Sequence, residues 1–173
     1  DIVDTLDQYP CEYLVVDPVM ISKSGYSLLR PEAKQNLIKY LIPKAYIVTP
    51  NIPEAEEITN MKIETVEDMK KAGQIILNLG PKYVLMKGGH LNGDCVDILI
   101  GKDLFEVFEG ERIDRKNTHG TGCTISSAIT SHLALGYDIK EAVRLSKEYI
   151  TEAIRHSFDI GKGVGPVHHF YKF

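Results

Sequence analysis

Three short runs of apolar, mostly β-branched residues constrain this chain most: Tyr13-Leu-Val-Val16, Ala45-Tyr-Ile-Val-Thr49 and Tyr83-Val-Leu-Met86. None alternates polar with apolar residues, so each reads as a strand buried on both faces. Each stops abruptly, at Asp17-Pro18, at Pro50 and at Lys87-Gly-Gly-His90. Helical patterns fill the intervals. Pro31 opens a helix to about Leu41, with Leu37, Ile38 and Leu41 on one face. A short helix follows from Pro53 to about Thr59. Thr65-Val-Glu-Asp68 is a capping-box variant that starts a helix to Leu79, ended by Gly80-Pro81. Strands that alternate with helices predict an α/β fold, with a mostly parallel central sheet and helices on both faces.

Further along, residues 95–101 and 104–109 read as a hairpin about Gly101-Lys-Asp103, with 111–115 as its extension. Gly120 to Leu135 is a helix closed by Gly136, and Asp138-Ile-Lys-Glu141 caps a long helix towards His156. The tail, 161–173, is glycine-rich and then aromatic. There is no repeat, linker or low-complexity segment, so 1–173 reads as a single domain, and Asp1 at the start suggests a fragment.

Composition narrows the function. Of 173 residues, 43% are hydrophobic and 25% charged, which is ordinary globular usage. A formal net charge of −4 argues against a general binder of nucleic acid or of a membrane surface. No apolar run is long enough to span a membrane. Cys11, Cys95 and Cys123 are odd in number and lack CxxC spacing, which fits a reducing cytoplasm rather than a disulfide framework.

In α/β sheets, ligands bind beyond the carboxyl ends of the strands. Those ends carry Asp17, Asn51 with Glu54, and Lys87-Gly88-Gly89-His90. Asn51 and Glu54 lie one helical turn apart and suit a magnesium ion that keeps several waters; they suit a helix N-cap with a first-turn glutamate equally. Lys87 before two glycines suits a phosphate, or an exposed loop. At an exposed site, replacing Lys87 or Glu54 changes stability by less than about 0.5 kcal/mol. The stretch Lys116-Asn-Thr-His-Gly-Thr-Gly-Cys-Thr124 turns into a helix. A helix N-terminus attracts anions, glycines let its backbone approach them, and its field favours the thiolate form of a first-turn cysteine. Gly-Thr-Gly before a helix is otherwise simply a tight turn. His168-His169 read as a tail with no metal role, and His132 and His156 as helix-surface residues.

Taken together, VVDPVMISKSG, TPNIPEAEEIT, VLMKGGHL, RKNTHGTGCTISSAI and GKGVGPVHHF resemble the hydroxymethylpyrimidine/phosphomethylpyrimidine kinases of thiamine biosynthesis, within the ribokinase-like superfamily. The resemblance covers essentially the whole chain. It implies that ATP and an aminopyrimidine are the substrates, with Mg2+ bound beside the triphosphate through Asn51 and Glu54 and near Asp17. It implies that Lys87 and Thr118 contact ATP, that Gly120, Thr121 and Gly122 form an anion hole, and that Cys123 assists the substrate hydroxyl. Val19 and Met20 match a segment near the pyrimidine. A monovalent cation and a homodimer are compatible with it; nucleic acid and membrane are not implied. Family members begin with a strand and a glycine-containing loop that do not precede Asp1, so the chain reads as the C-terminal two-thirds. A pyridoxal kinase-like enzyme and a non-catalytic nucleotide-binding fragment are the rival readings.

Overall fold

The structure, a computed structural model, describes residues 2–22, 25–89, 95–110, 113 and 115–173, with Cys95 described in its backbone alone. They form two compact units, Asp1–Gly110 and Glu111–Phe173.

The first unit carries helix α1 (Ile2–Gln8), strand β1 (Val15–Val16), α2 (Pro31–Asn36), β2 (Ile47–Val48), α3 (Ile52–Thr59), α4 (Val66–Leu77), β3 (Tyr83–Lys87), β4 (Cys95–Gly101) and β5 (Leu104–Gly110). The α/β class is as expected. The sheet runs in the order β1-β2-β3-β4-β5 and is mixed: β1 to β3 are parallel, and the β4–β5 hairpin is antiparallel to β3. The parallel strands are short because Pro18 and Pro50 remove donors just past their ends. Pairing nevertheless outlasts the ladder, since the Thr49 amide donates to the Val16 carbonyl at 3.0 Å and the Lys87 amide to the Pro50 carbonyl at 2.9 Å.

One core forms where α3 and α4 cover β3 and β4. Met69, Ala72 and Ile76 of α4 lie at helical spacing and meet Val84, Met86, Ile98 and Ile100. Met69 and Ile76 are fully buried, each contributing about 1.5–3 kcal/mol by transfer from water. A second cluster gathers Val16, Ile42, Ala45 and Val48, flanked by Leu37, Ile38 and Leu41. Here the structure departs from the single helix expected between Pro31 and Leu41. The chain is α-helical only to Asn36, widens into a π turn over Leu37–Leu41, then tightens to a 3-10 turn over Ile42–Lys44. Pro43 has no amide to give the Lys39 carbonyl, and the Ile42 amide reaches back five residues to Leu37 instead. The widened turn keeps the three apolar side chains on the core.

Tyr13, Tyr46 and Tyr83 stand side by side where the three parallel strands begin. Their ring centroids are 5.0 Å and 5.3 Å apart in edge-to-face contact, and the Lys82 ammonium lies 5.0 Å from the Tyr46 ring. Burial and the neighbouring Tyr83 hold the Tyr46 phenol above its ordinary pKa.

The second unit is built on α5 (Thr121–Ala134) and α6 (Ile139–Arg155). Ile125, Ile129 and Leu133 form the buried stripe of α5, and Ala142, Val143, Ser146, Ile150 and Ala153 that of α6. Gly136, at φ 91°, turns the chain between them, and the Asp138 side chain caps α6 through the Glu141 amide at 3.0 Å. The residues after α6 are anchored: Val167 is buried and the His168 amide donates to the Ala153 carbonyl at 2.9 Å. His132 is not the surface residue expected. It is half-buried, with Nδ1 3.1 Å from the hydroxyl of buried Ser146. That hydroxyl gives its proton to the Ala142 carbonyl, so His132 Nδ1 is the donor of the pair. His156 is exposed and stacks on Tyr171. Of the expected strand extension, Glu111, Arg112 and Asp114 lie outside the described residues, and Ile113 and Arg115 are not in a strand. Among the described residues no helix is long and apolar enough to cross a membrane.

Candidate active site

The parallel topology carries β1, β2 and β3 to a common carboxyl edge, and the chemistry follows from what each strand leaves there. Asp17 directly follows β1. Lys87 ends β3, and its ammonium meets Asp17 Oδ1 at 2.9 Å. Thr49, one residue past β2 and fully buried, donates its hydroxyl to the same oxygen at 3.0 Å. Asp17 and Lys87 retain 14% side-chain exposure each, so the pair is only partly screened by water. One of the three ammonium donors of Lys87 is committed to Asp17, which holds the charge at the sheet edge.

Asn51 and Glu54 close the group. The Asn51 side chain accepts the Glu54 amide at 2.9 Å, while Glu54 Oε2 accepts the Asn51 amide at 2.9 Å, a reciprocal capping box on α3. The helix-cap reading of this pair holds, and the cap lies beside Lys87 and Asp17. Burial pushes the Glu54 carboxyl above its ordinary pKa; the Asn51 amide and Lys87 pull it down, and Asp17 pushes it up. The expectation that Lys87 and Glu54 are exposed is overturned. Glu54 is 3% exposed, and Lys87 is enclosed by its ion pair. Substitution there costs stability, because each side chain satisfies a partly buried neighbour, Asp17 for Lys87 and the Asn51 amide for Glu54.

Two contributors were not foreseen. Thr49 was read only as the last strand residue; its signal was a hydroxyl ending an otherwise apolar run, just before Pro50. Asp97 of β4 accepts the Gly88 amide at 2.9 Å and pins the backbone after Lys87. Its sequence signal was an acid inside an apolar strand. His90 lies outside the described residues. Val19 is 38% exposed, whereas Met20 has no accessible surface, so only Val19 presents a side chain to a ligand.

Among the described residues no three His, Cys, Asp or Glu side chains gather to hold a metal by themselves. Asp17 and Glu54 each commit one named oxygen to protein donors, Oδ1 and Oε2, and form an oxygen-only pair next to an ammonium. That donor set fits a hydrated hard cation carried in with phosphates better than an all-protein cage.

In the second unit, the turn before α5 places Thr118, Gly120, Thr121, Gly122 and Cys123 in sequence. Gly120 adopts φ 85°, a left-handed conformation that glycine takes without penalty. The Thr121 hydroxyl donates to the Thr118 carbonyl at 2.8 Å. The first amides of an α-helix lack intrahelical acceptors; the Thr121 amide turns back to the Thr118 carbonyl at 3.5 Å, which leaves those of Gly122 and Cys123 as the donors this turn presents among the described residues. Cys123 is exposed. Its side chain heads an open depression of about 500 Å3, in which Ser127 and Ser131 follow at one-turn intervals and Tyr149 and His169 close the side.

The fold and these strand-end residues define a ribokinase-like α/β protein. The structure resembles that of Bacillus subtilis pyridoxal kinase in an ADP complex, at TM-score 0.89 and 38% identity, covering 99% of this chain and 64% of that one. It also resembles phosphomethylpyrimidine kinase from Clostridium difficile 630, at TM-score 0.79 and 68% identity over 88% of this chain and 62% of that one. The profile of the phosphomethylpyrimidine kinase family matches residues 1–168, and the chain belongs to that family. A curated relative, hydroxymethylpyrimidine/phosphomethylpyrimidine kinase of Staphylococcus aureus strain MRSA252, is 45% identical over 177 residues, which span 98% of this chain and 64% of the relative. The chain thus spans under two-thirds of the length of the relatives it matches.

Proposed function

We propose that the full-length protein is a cytoplasmic kinase that uses ATP with Mg2+ to phosphorylate 4-amino-5-hydroxymethyl-2-methylpyrimidine, and then its monophosphate, in thiamine biosynthesis. The observation that carries this reading is the Asp17–Lys87–Glu54 group at the carboxyl edge of the parallel strands, in a chain whose family profile matches nearly end to end.

Phosphoryl transfer depends on positioning and charge stabilisation more than on covalent chemistry. Lys87 is assigned to the nucleotide phosphates, held by Asp17 in a defined orientation rather than left to sample solvent. Thr118 is assigned to the nucleotide as well. Asp17, Asn51 and Glu54 would hold the magnesium ion through water; bound there, it supplies positive charge against the phosphates. The amides that follow Gly120 are assigned to charge on the transferring group. In the first transfer the substrate hydroxyl loses its proton to the Cys123 sulfur as its oxygen bonds to the γ-phosphorus and the bond to ADP breaks. In the second the nucleophile is a phosphate oxygen already ionised, so no base is required.

A second reading, pyridoxal kinase, is favoured by the likeness to the Bacillus subtilis enzyme. Steady-state assays of the full-length protein with the hydroxymethylpyrimidine, its monophosphate and pyridoxal separate the two. Turnover of both pyrimidines supports the proposal; turnover of pyridoxal alone replaces it, and ATP binding without turnover of any substrate rejects catalysis.

A further inference from the structure

Asn117 is 3% exposed and has no role in the assignments above. Both ends of its amide are used, by residues 42 and 48 positions downstream. Nδ2 donates to Asp159 Oδ1 at 2.8 Å, and Oδ1 accepts the Gly165 amide at 2.8 Å. A carboxylate on one side and an N–H on the other permit a single orientation of the side-chain amide. The space is shaped to match, since a Cβ on Gly165 would lie 2.4 Å from Asn117 Oδ1. Backbone bonds continue the seam. The His119 amide donates to the Gly165 carbonyl at 3.1 Å, and the Lys116 ammonium to the Lys162 carbonyl at 2.6 Å. Beyond it, buried Val167 and the bond from His168 to Ala153 fix the strap to α6.

The turn that follows is closed by its own hydrogen bonds, from Thr121 to the Thr118 carbonyl and from Thr124 to the Gly120 carbonyl, which set its shape while the clasp before it sets its direction. Among the described residues a Cβ at Gly120 would meet nothing within 4 Å, so side-chain packing over that left-handed residue does not place the turn. Donors aimed at developing charge are effective only when held in place beforehand, which requires support from a second layer of residues. We infer that Asn117 is a positioning residue: clasped between Asp159 and Gly165, it fixes where the amides after Gly120 point. The inference rests on the reading of this turn as the element that receives phosphoryl charge.

The test uses the full-length polypeptide with N117D, D159A and the double variant N117D/D159N. N117D sets two carboxylates against each other. The double variant reverses the direction of that hydrogen bond and leaves an oxygen for the Gly165 amide. D159A truncates an exposed side chain and leaves one donor of Asn117 without its acceptor, a milder cost than opposing carboxylates, so it carries the test if N117D does not fold. Two readouts are taken beside the melting temperature. The first is kcat against KM for ATP. The second is the rate of Cys123 alkylation by anionic iodoacetate relative to neutral iodoacetamide, mapped by peptide mass with exposed Cys11 as internal reference.

N117D is expected to lower kcat by roughly 10²-fold, the cost of an ångström-scale misplacement, with KM for ATP changed less than about threefold. D159A lowers kcat in the same direction, and the double variant recovers to within about threefold of wild type. The alkylation ratio at Cys123 falls in both single variants and returns in the double. Unchanged kcat and ratio in D159A, or a well-folded double variant no better than N117D, overturns the inference. If no form turns over a substrate, the kinase reading fails by itself, and the alkylation ratio still decides whether Asn117 holds the turn.

Discussion

Alanine at Gly88 and alanine at Gly89 are one position apart, and the structure gives them opposite outcomes. A Cβ on Gly88 would sit 1.9 Å from the Val96 carbonyl oxygen and 3.0 Å from the terminal methyl of fully buried Met69. The carbonyl belongs to the sheet and cannot rotate away, so β3 and β4 must part by more than 1 Å to relieve it. Overpacking of this kind costs about 1–3 kcal/mol, or about 2–12 °C of melting temperature for a chain this size. The same retreat draws the Gly88 amide off Asp97 and shifts Lys87 against Asp17, two contacts now at 2.9 Å. A misplacement of that scale can lower activity by roughly 10²-fold. At Gly89 an added Cβ meets nothing within 4 Å among the described residues, and stability should stay within about 0.5 kcal/mol. Thermal melts by circular dichroism and calorimetric titration with Mg-ATP, on both full-length variants, measure the contrast. Equal behaviour of the two variants would refute the claim that close backbone approach, rather than a general need for a flexible loop, is what Gly88 answers.

Lys87→Ala should destabilise the protein towards the roughly 3–5 kcal/mol of a broken buried pair and weaken Mg-ATP binding; chemical denaturation alongside titration checks both. Burial raises the Glu54 pKa above its ordinary 4.5, so the folded protein takes up that proton before the unfolded chain does as pH falls. Stability relative to Glu54→Gln should therefore rise on acidification through the window just above 4.5, while Mg-ATP affinity falls there; Glu54→Gln should bind weakly at every pH and show no such step. Cys123→Ala should cost roughly 10²–10⁴-fold in kcat/KM on the hydroxymethyl substrate, the range of a positioned base. It should cost clearly less on the monophosphate, and Cys123→Asp should keep part of the activity. Equal losses on both substrates would make Cys123 an orienting group instead.

The features legible in the sequence are the local ones. The capping boxes at Asn51–Glu54 and Thr65–Asp68 form as written, because their partners are three residues apart. The apolar runs could be placed at the sheet because a strand buried on both faces carries its environment in its own composition. The bonds of Asn117 could not be anticipated, since its partners lie 42 and 48 residues away. The same holds for Thr49 and Asp97, whose partners lie just past the ends of other strands. The π turn at Leu37–Leu41 escaped for another reason. Its apolar spacing is compatible with an ordinary helix, and the decision falls to Pro43, one residue beyond the turn's Ile42 cap. His132 was misjudged because a histidine on a helix gives no hint of which side faces Ser146 of the next one.

The tyrosine row has a spectroscopic consequence. The chain contains no tryptophan, so its intrinsic emission and its aromatic near-ultraviolet optical activity come from tyrosine and phenylalanine. Tyr13, Tyr46 and Tyr83 are chromophores placed one at the start of each of β1, β2 and β3, close enough for their transitions to couple. Their coupled dichroic signal exists only while all three strands are in register, and Tyr→Phe at the middle position, Tyr46, would silence both couplings at once. The sheet thus carries its own optical gauge, one that follows assembly of its parallel half in unlabelled protein.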